Sequence, residues 1–245
     1  MAPAPARPGR TVLFGLAWAL TTLLALFAGS IILALWLAAN AGLAAAQAAR
    51  SWKRDRGGRQ PFAPAAAAGS AFIVLGAGFG LIGLALAAVV GVIGVLAWVS
   101  AAPSAHDRLL TLACAVIPAV AAGSPVLLRA TDGLVPPLVL LVYAAVYDTA
   151  AFVMGAGARW RWEGPLAGIA CIGTVTVASA AIFPQFKGLS PWELGALAGA
   201  LTPLGPVVAS RILGYRWARV PALRRLDSLT VLGPLWAVAA AALVS

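Results

Sequence analysis

Charged residues are scarce in this sequence, and acidic residues are the scarcest. Only 10% of the 245 residues are charged and only seven are acidic, whereas 62% are hydrophobic. A soluble domain of this length needs far more charge on its surface. The composition therefore excludes a soluble globular protein and predicts a chain that crosses a membrane several times.

Residues that bind metals through sulfur or nitrogen are also nearly absent. The chain has two cysteines, Cys114 and Cys171, each inside an apolar segment, and one histidine, His106, in a predicted loop. Because no cysteine pair has a short spacing and no histidine is near, we expect neither a zinc site nor a disulfide framework. The two cysteines are interpreted as small apolar packing residues.

Hydrophobic segments of about 20 residues, the length that spans a bilayer, make up most of the chain. The two longest apolar stretches, 11–49 and 62–101, exceed one span, so each is expected to fold back as a helical hairpin. Glycine marks both turns, near Gly29 and near Gly80. The predicted segments are 11–28, 30–49, 62–79, 81–101, 108–128, 134–157, 164–183, 191–213 and 227–244.

Basic residues give these helices a direction. With the N-terminus in the cytoplasm, the tail and the loops after even-numbered segments hold every arginine and lysine except Arg129 and Lys187. This asymmetry follows the positive-inside rule and explains the net charge of +10 without nucleic acid as a partner. We therefore predict an all-α polytopic membrane protein of about nine transmembrane helices with a cytoplasmic N-terminus and no separate soluble domain.

Three of the acidic residues lie at or near the cytoplasmic half of their predicted helices. Asp148 lies past the midpoint of the sixth segment, while Glu163 and Asp227 open the seventh and ninth. A carboxylate at membrane depth is costly and usually functional. Carboxylates that converge on one membrane face beside basic loops are suited to hold a divalent cation and a nucleoside triphosphate.

Each of these residues also has a structural explanation. The carboxylate of Asp148 can be satisfied inside the bundle by Tyr143, Tyr147 or a backbone group. Glu163 and Asp227 lie at first helical turns, where the helix dipole and capping favour acidic side chains. The arginines before the last helix follow from topology alone, or pair with anionic lipid headgroups.

Three motifs occur in a recognisable order along the second half of the chain. They are Asp148-Thr149-Ala150-Ala151-Phe152, Trp162-Glu163-Gly164 and Arg225-Leu226-Asp227-Ser228-Leu229. Together they resemble the C-terminal half of the CDP-diacylglycerol synthase family, the membrane phosphatidate cytidylyltransferases, over about residues 134–232. The resemblance divides one integral membrane unit into an N-terminal scaffold of about five helices, 1–133, and a cytidylyltransferase-like region of about four helices, 134–245.

The resemblance implies a nucleotidyltransferase of phospholipid biosynthesis, which converts CTP and phosphatidate, or a related lipid phosphate, into CDP-diacylglycerol and pyrophosphate. The implied catalytic residues are Asp148, Asp227 and Arg225, and the two aspartates are the implied ligands of Mg²⁺. The implied location is the bacterial inner membrane, with the site facing the cytoplasm. Substrate-binding roles are implied for Arg161, Trp162, Glu163, Ser210, Arg211 and Arg224.

The sequence departs from the family at positions that carry chemistry. Pro206 replaces the aspartate of a Leu-Gly-Asp motif, and Arg224 replaces the first aspartate of the closing motif, whose histidine and glycines are also missing. An inactive family member, which binds lipid or nucleotide or supports a partner membrane subunit, is therefore an alternative. A transporter is a third hypothesis, which predicts polar residues along several helices and helices broken at mid-membrane. Glycine-rich helices would permit a homodimer.

Overall fold

The described part of the chain is built from helices and contains no strand. The computed structural model describes residues 8–53, 61–100, 104–156, 158–160, 162–183, 190–213 and 220–244. The helices are α1 (Pro8–Ala28), α2 (Ser30–Lys53), α3 (Ala63–Ala77), α4 (Gly80–Trp98), α5 (Ala105–Thr131), α6 (Val135–Gly155), α7 (Glu163–Ile182), α8 (Ser190–Leu201), α9 (Leu204–Leu213) and α10 (Asp227–Val244), with a 3-10 turn at Leu223–Arg225. The predicted all-α class is confirmed.

Five of these helices, α2, α4, α5, α6 and α7, are long and apolar enough to cross a membrane by length and composition. The apolar cores of α1, α3 and α10 are shorter. On α4, Leu86, Val90 and Ile93 are exposed, although the helix is almost entirely apolar. Such a surface is stable in contact with lipid tails. The described helices are therefore those of a membrane protein.

The two predicted hairpin breaks are confirmed. Gly29 separates α1 from α2 with a φ of 127°, and Gly80 begins α4 with a φ of 81°. Residues with a Cβ rarely adopt these positive values, whereas glycine adopts them at no steric cost. Each long apolar stretch therefore turns back at the glycine that the sequence analysis selected.

The eighth predicted segment, 191–213, is not a single helix, and that prediction was wrong. Helix α8 ends at Leu201 and α9 begins at Leu204. Pro203 lacks the N–H that would continue the helical ladder, and Gly205 and Pro206 follow closely. At the end of α8, the carbonyl of Ala198 accepts both the backbone N–H of Thr202 at 3.0 Å and the hydroxyl of Thr202 at 2.6 Å.

Helix α5 lies at the centre of the packing. It contacts α2, α3 and α4 on the N-terminal side and α6 and α10 on the C-terminal side. Many of its buried residues are small, such as Ala115, Ala119 and Ala122. Small residues let helices approach closely in a membrane. The contacts of α5 with α10, and of α1 with α6, join the two predicted regions.

Candidate functional site

Asp148 on α6 is bound by a side chain from the start of α10. The hydroxyl of Ser228 donates a hydrogen bond to Oδ2 of Asp148 at 2.8 Å, although 80 positions separate the two residues. Ser228 is fully buried, and Asp148 is partly exposed. Tyr143, one of the partners expected for Asp148, instead pairs its hydroxyl with Thr176 at 3.1 Å. Two of the resembling motifs therefore meet through one hydrogen bond.

Asp227 lies beside this bond at the first position of α10. Its side chain is only 3% exposed, and Oδ1 accepts a hydrogen bond from the backbone N–H of Ser228 at 2.9 Å. Tyr147 is near enough to both Asp148 and Asp227 to interact electrostatically with them. An acidic side chain in the first turn of a helix interacts favourably with the helix dipole. The two aspartates predicted to act together are therefore brought into one neighbourhood.

Two arginines stand next to the aspartates on the 3-10 turn that precedes α10. Both Arg224 and Arg225 interact electrostatically with Asp148. Burial lowers the pKa of the Arg225 guanidinium, the charge of Arg224 lowers it further, and Asp148 opposes both effects. An arginine keeps its proton at neutral pH despite such a shift. The site therefore combines two carboxylates with two permanent cations.

The start of α9 closes one side of the site. A Cβ on Gly205 would collide with the carbonyl oxygen of Asp227 and would lie 3.0 Å from Cα of Ser228. Only glycine allows this approach of one backbone to another. The break between α8 and α9 is therefore held directly against the aspartate at the head of α10.

The exposure and the hydrogen-bond partner of Glu163 differ from those of Asp148 and Asp227. It is exposed, and Oε1 accepts a hydrogen bond from the backbone N–H of Trp160 at 3.0 Å. This bond closes the turn before α7. Within the described residues, no group of three or more histidine, cysteine, aspartate or glutamate side chains could hold a metal ion. The expected convergence of three carboxylates is thus reduced to the pair Asp148 and Asp227.

The glycine after Glu163 serves helix packing. A Cβ on Gly164 would lie 2.7 Å from the carbonyl oxygen of Ala151, and one on Gly168 would collide with the ring of Tyr147. These glycines let α7 pack against α6 along the turn that carries Asp148. Helix packing therefore explains Gly164 and Gly168 without a role in substrate binding.

The remaining predicted substrate-binding residues are exposed or only partly buried. Trp162 has 70% of its surface exposed, and Arg211 is exposed on α9. Ser210 donates its hydroxyl to the carbonyl of Val207 at 2.9 Å, within its own helix. Arg161 lies outside the described residues, as do the basic loop residues of 54–60 and 214–219.

A groove opens beside the site between α1, α6 and α10. It contains about 490 Å³ of empty space, part of which is open to the surroundings, and Asp148 and Arg225 belong to its lining. Trp18 and Thr22 of α1 line the opposite side. Neither residue was predicted from the sequence, in which this helix was assigned to the scaffold. The available signal was weak, because α1 also carries Arg10, Thr11 and Thr21.

Comparison of the chain with protein-family models, curated proteins and solved structures finds no match. What the fold and the site define is a helical membrane protein with a partly buried cluster of two aspartates, a serine and two arginines. Its activity has to be argued from that cluster.

Proposed function

We propose that this protein is a membrane nucleotidyltransferase of the phosphatidate cytidylyltransferase type. It would transfer the cytidylyl group of CTP to phosphatidate or a related lipid phosphate and release pyrophosphate. The observation that carries the proposal is the hydrogen bond from Ser228 to Asp148, which joins two resembling motifs beside Asp227 and Arg225. Carboxylates and guanidinium groups at a membrane surface suit phosphoryl chemistry on a lipid.

The proposal includes a topology of nine spans, with the N-terminus and the site on the cytoplasmic side of a bacterial inner membrane. In this arrangement α8 and α9 together form one interrupted span. Support comes from the distribution of arginine and lysine, which leaves only Arg129 and Lys187 on the outer side. It also comes from the lengths of the five long apolar helices.

In the proposed reaction, an oxygen of the lipid phosphate attacks the α-phosphorus of CTP. A new phosphorus–oxygen bond forms, the bond to the pyrophosphate oxygen breaks, and pyrophosphate leaves with the electron pair. Arg225 and Arg224 would bind phosphate oxygens, since guanidinium groups match phosphates in geometry and charge. Ser228 would hold the carboxylate of Asp148 in one orientation through the 2.8 Å bond.

The donor set fits Mg²⁺, which prefers one or two carboxylates together with water and substrate phosphates. Asp148 and Asp227 would hold the ion. When bound, it would supply charge neutralisation at the triphosphate. Mg²⁺ in this account is an expected cofactor.

The test is release of pyrophosphate by purified protein with CTP, Mg²⁺ and phosphatidate. We expect turnover by the wild type and loss of at least about 10²-fold in Asp227→Asn, because a proposed ligand of the Mg²⁺ that would neutralise the triphosphate is removed. Asp132→Asn is the matched control, since Asp132 is an exposed acidic residue that caps the C-terminal end of α5 and is not part of the proposed site. Folded wild-type protein without turnover would refute the transferase.

An inactive family member is the second candidate, and a specific contact favours it. Oδ1 of Asp227 already accepts the backbone N–H of Ser228, so this carboxylate oxygen has a partner within the protein. Pro206 and Arg224 also stand where the family has carboxylates. This candidate would bind CTP or phosphatidate, or support a partner membrane subunit, without releasing pyrophosphate.

The break between α8 and α9 is the observation that favours a transporter, since broken helices form transporter sites. Three buried hydroxyls argue against a polar path through the C-terminal helices. Thr176, Ser179 and Thr202 each donate to a backbone carbonyl of their own helix. These residues serve the helices that carry them, so the transferase remains the better-supported proposal.

A further inference from the structure

Helix α1 forms one wall of the groove between α1, α6 and α10, and two side-chain hydrogen bonds hold it in place. Nε1 of Trp18 donates to Oδ1 of Asn40 at 3.0 Å, and Nε1 of Trp36 donates to the hydroxyl of Thr22 at 3.0 Å. Both bonds tie α1 to α2. Hydrogen bonds between side chains are strong anchors where water is absent. Helix α1 is thus fixed against α2, and the same two residues, Trp18 and Thr22, line the groove opposite α6.

The groove has an apolar body and a charged end. Leu141 on α6 and Leu229 on α10 line the body together with the ring of Trp18. Asp148 and Arg225 contribute the charged groups of the lining. An apolar lining with a few polar groups is the usual composition of sites that bind small molecules.

Arg225 reaches across this end of the groove to α1. Its Nη1 atom lies 2.7 Å from the position that a Cβ would occupy on Gly15. A larger residue at this position would push the guanidinium away, so Gly15 permits the placement of Arg225. Helix α1 therefore contributes to the surroundings of a residue in the proposed transferase site.

We infer that the groove binds the lipid acceptor, a lipid with a phosphate monoester headgroup, and that α1 forms its outer wall. The acyl chains lie along the apolar body and the phosphate pairs with the guanidinium of Arg225. This inference rests on the proposed function for the identity of the headgroup. It adds a location for the lipid, and a role for α1, which lies outside the region of resemblance.

Photolabelling tests the location on the unaltered protein. The probe is dioleoyl phosphatidate with a diazirine in one acyl chain, and labelled peptides are identified by mass spectrometry. We expect labels concentrated on α1 (Pro8–Ala28) and α6 (Val135–Gly155), and reduced by unlabelled phosphatidate. Labels on the exposed face of α4 at the same density, or displacement by glycerol 3-phosphate, which lacks acyl chains, would overturn the inference.

Substitution of groove alanines tests the same site by binding. Ala145 on α6 is exposed and lines the groove, whereas Ala178 on α7 is exposed and does not. We expect Ala145→Trp to weaken retention of dioleoyl phosphatidate at least tenfold, and Ala178→Trp to change it less than twofold. Ala19→Trp fills the groove from the α1 side and replaces Ala145→Trp if that variant does not fold. Unchanged retention in a folded groove variant would overturn the inference.

Headgroup selectivity completes the test. We expect Arg225→Gln to abolish the preference for dioleoyl phosphatidate over dioleoyl phosphatidylcholine. A wild-type protein without that preference would overturn the inference. Neither binding assay depends on turnover: labelling of the groove without pyrophosphate release refutes the transferase alone, and turnover with labels elsewhere refutes the groove alone.

Discussion

Arg129 and Asp148 are charged residues of two long apolar helices, and their partners differ. Arg129, in the last turn of α5, donates from Nε to the carbonyl oxygen of Leu26 at 3.0 Å. Asp148 on α6 accepts from the hydroxyl of Ser228 and lies near two arginines and a groove. The first charge satisfies a carbonyl in the last turn of α1, which is a structural task. The second belongs to a cluster of ionisable groups, which is an arrangement that chemistry needs.

The kind of partner distinguishes the structural role of Arg129 from the site role of Asp148. Placing a charge at membrane depth costs free energy both for Arg129 and for Asp148. A backbone carbonyl as partner indicates a helix end that the charge completes. Partners that are themselves ionisable, together with access from outside, indicate a site. Substitutions should therefore affect stability at Arg129 and activity at the cluster of Asp148.

The largest effect is expected at Arg225. Replacement by glutamine should lower pyrophosphate release by about 10²–10³-fold, since a cation that stabilises phosphate charge is lost. Arg225→Lys should recover only part of the rate, because lysine cannot bind a phosphate in bidentate fashion. Steady-state assays of pyrophosphate release by both variants measure these rates. Equal rates for glutamine and wild type would remove Arg225 from the site.

A large loss of stability is expected at Gly205. Gly205→Val should lower the free energy of unfolding by about 3 kcal/mol, because the side chain would collide with the backbone of Asp227. Gly94→Val is the matched control, as a Cβ on Gly94 meets nothing within 4 Å. Denaturant titration in mixed micelles measures both. Equal losses in the two variants would mean that α9 does not pack against the start of α10.

A smaller loss of stability is expected at Arg129. Arg129→Leu should lower the free energy of unfolding by about 2 kcal/mol, since a hydrogen bond from a charged donor to the end of α1 is lost. Pyrophosphate release per folded molecule should stay within twofold of the wild type. A large loss of activity in the folded variant would contradict the structural role assigned to Arg129.

The smallest effect is expected at Ser228. Ser228→Ala removes the hydroxyl that holds Asp148 and should cost about 1.5 kcal/mol of stability, the value of a hydrogen bond to a charged group. The matched control is Ser228→Thr, which keeps the hydroxyl group. Unfolding measurements in an Asp148→Asn background should show a smaller effect of Ser228→Ala. Purely additive effects would mean that the two side chains do not interact.

The sequence predicted the helices well because apolar length and glycine decide them. Gly29 and Gly80 mark turns that the structure contains. Proline was a poorer guide: α5 continues through Pro118 and Pro125, whereas the chain breaks at Pro203. The difference lies in the neighbours, since Gly205 and Pro206 follow Pro203. A break of this kind depends on several adjacent residues and on packing against α10.

The candidate site was predicted only in part. Asp148 and Asp227 were selected because they are rare carboxylates near a membrane face. Ser228 could not be assigned as the partner of Asp148, because 80 positions separate them and only the packing of α6 against α10 joins them. Trp18 and Thr22 were missed for the same reason. The sequence identifies costly residues, whereas their neighbours are set by tertiary contacts.

One measurement compares the two charges directly: pyrophosphate release by wild type, Asp148→Asn and Arg129→Leu, each at equal folded concentration with CTP, Mg²⁺ and phosphatidate. We expect turnover by the wild type and by Arg129→Leu, and loss of at least about 10²-fold in Asp148→Asn. Full turnover by Asp148→Asn, or none by folded wild-type protein, would contradict the claim that Asp148 lies at the centre of a phosphate-transfer site.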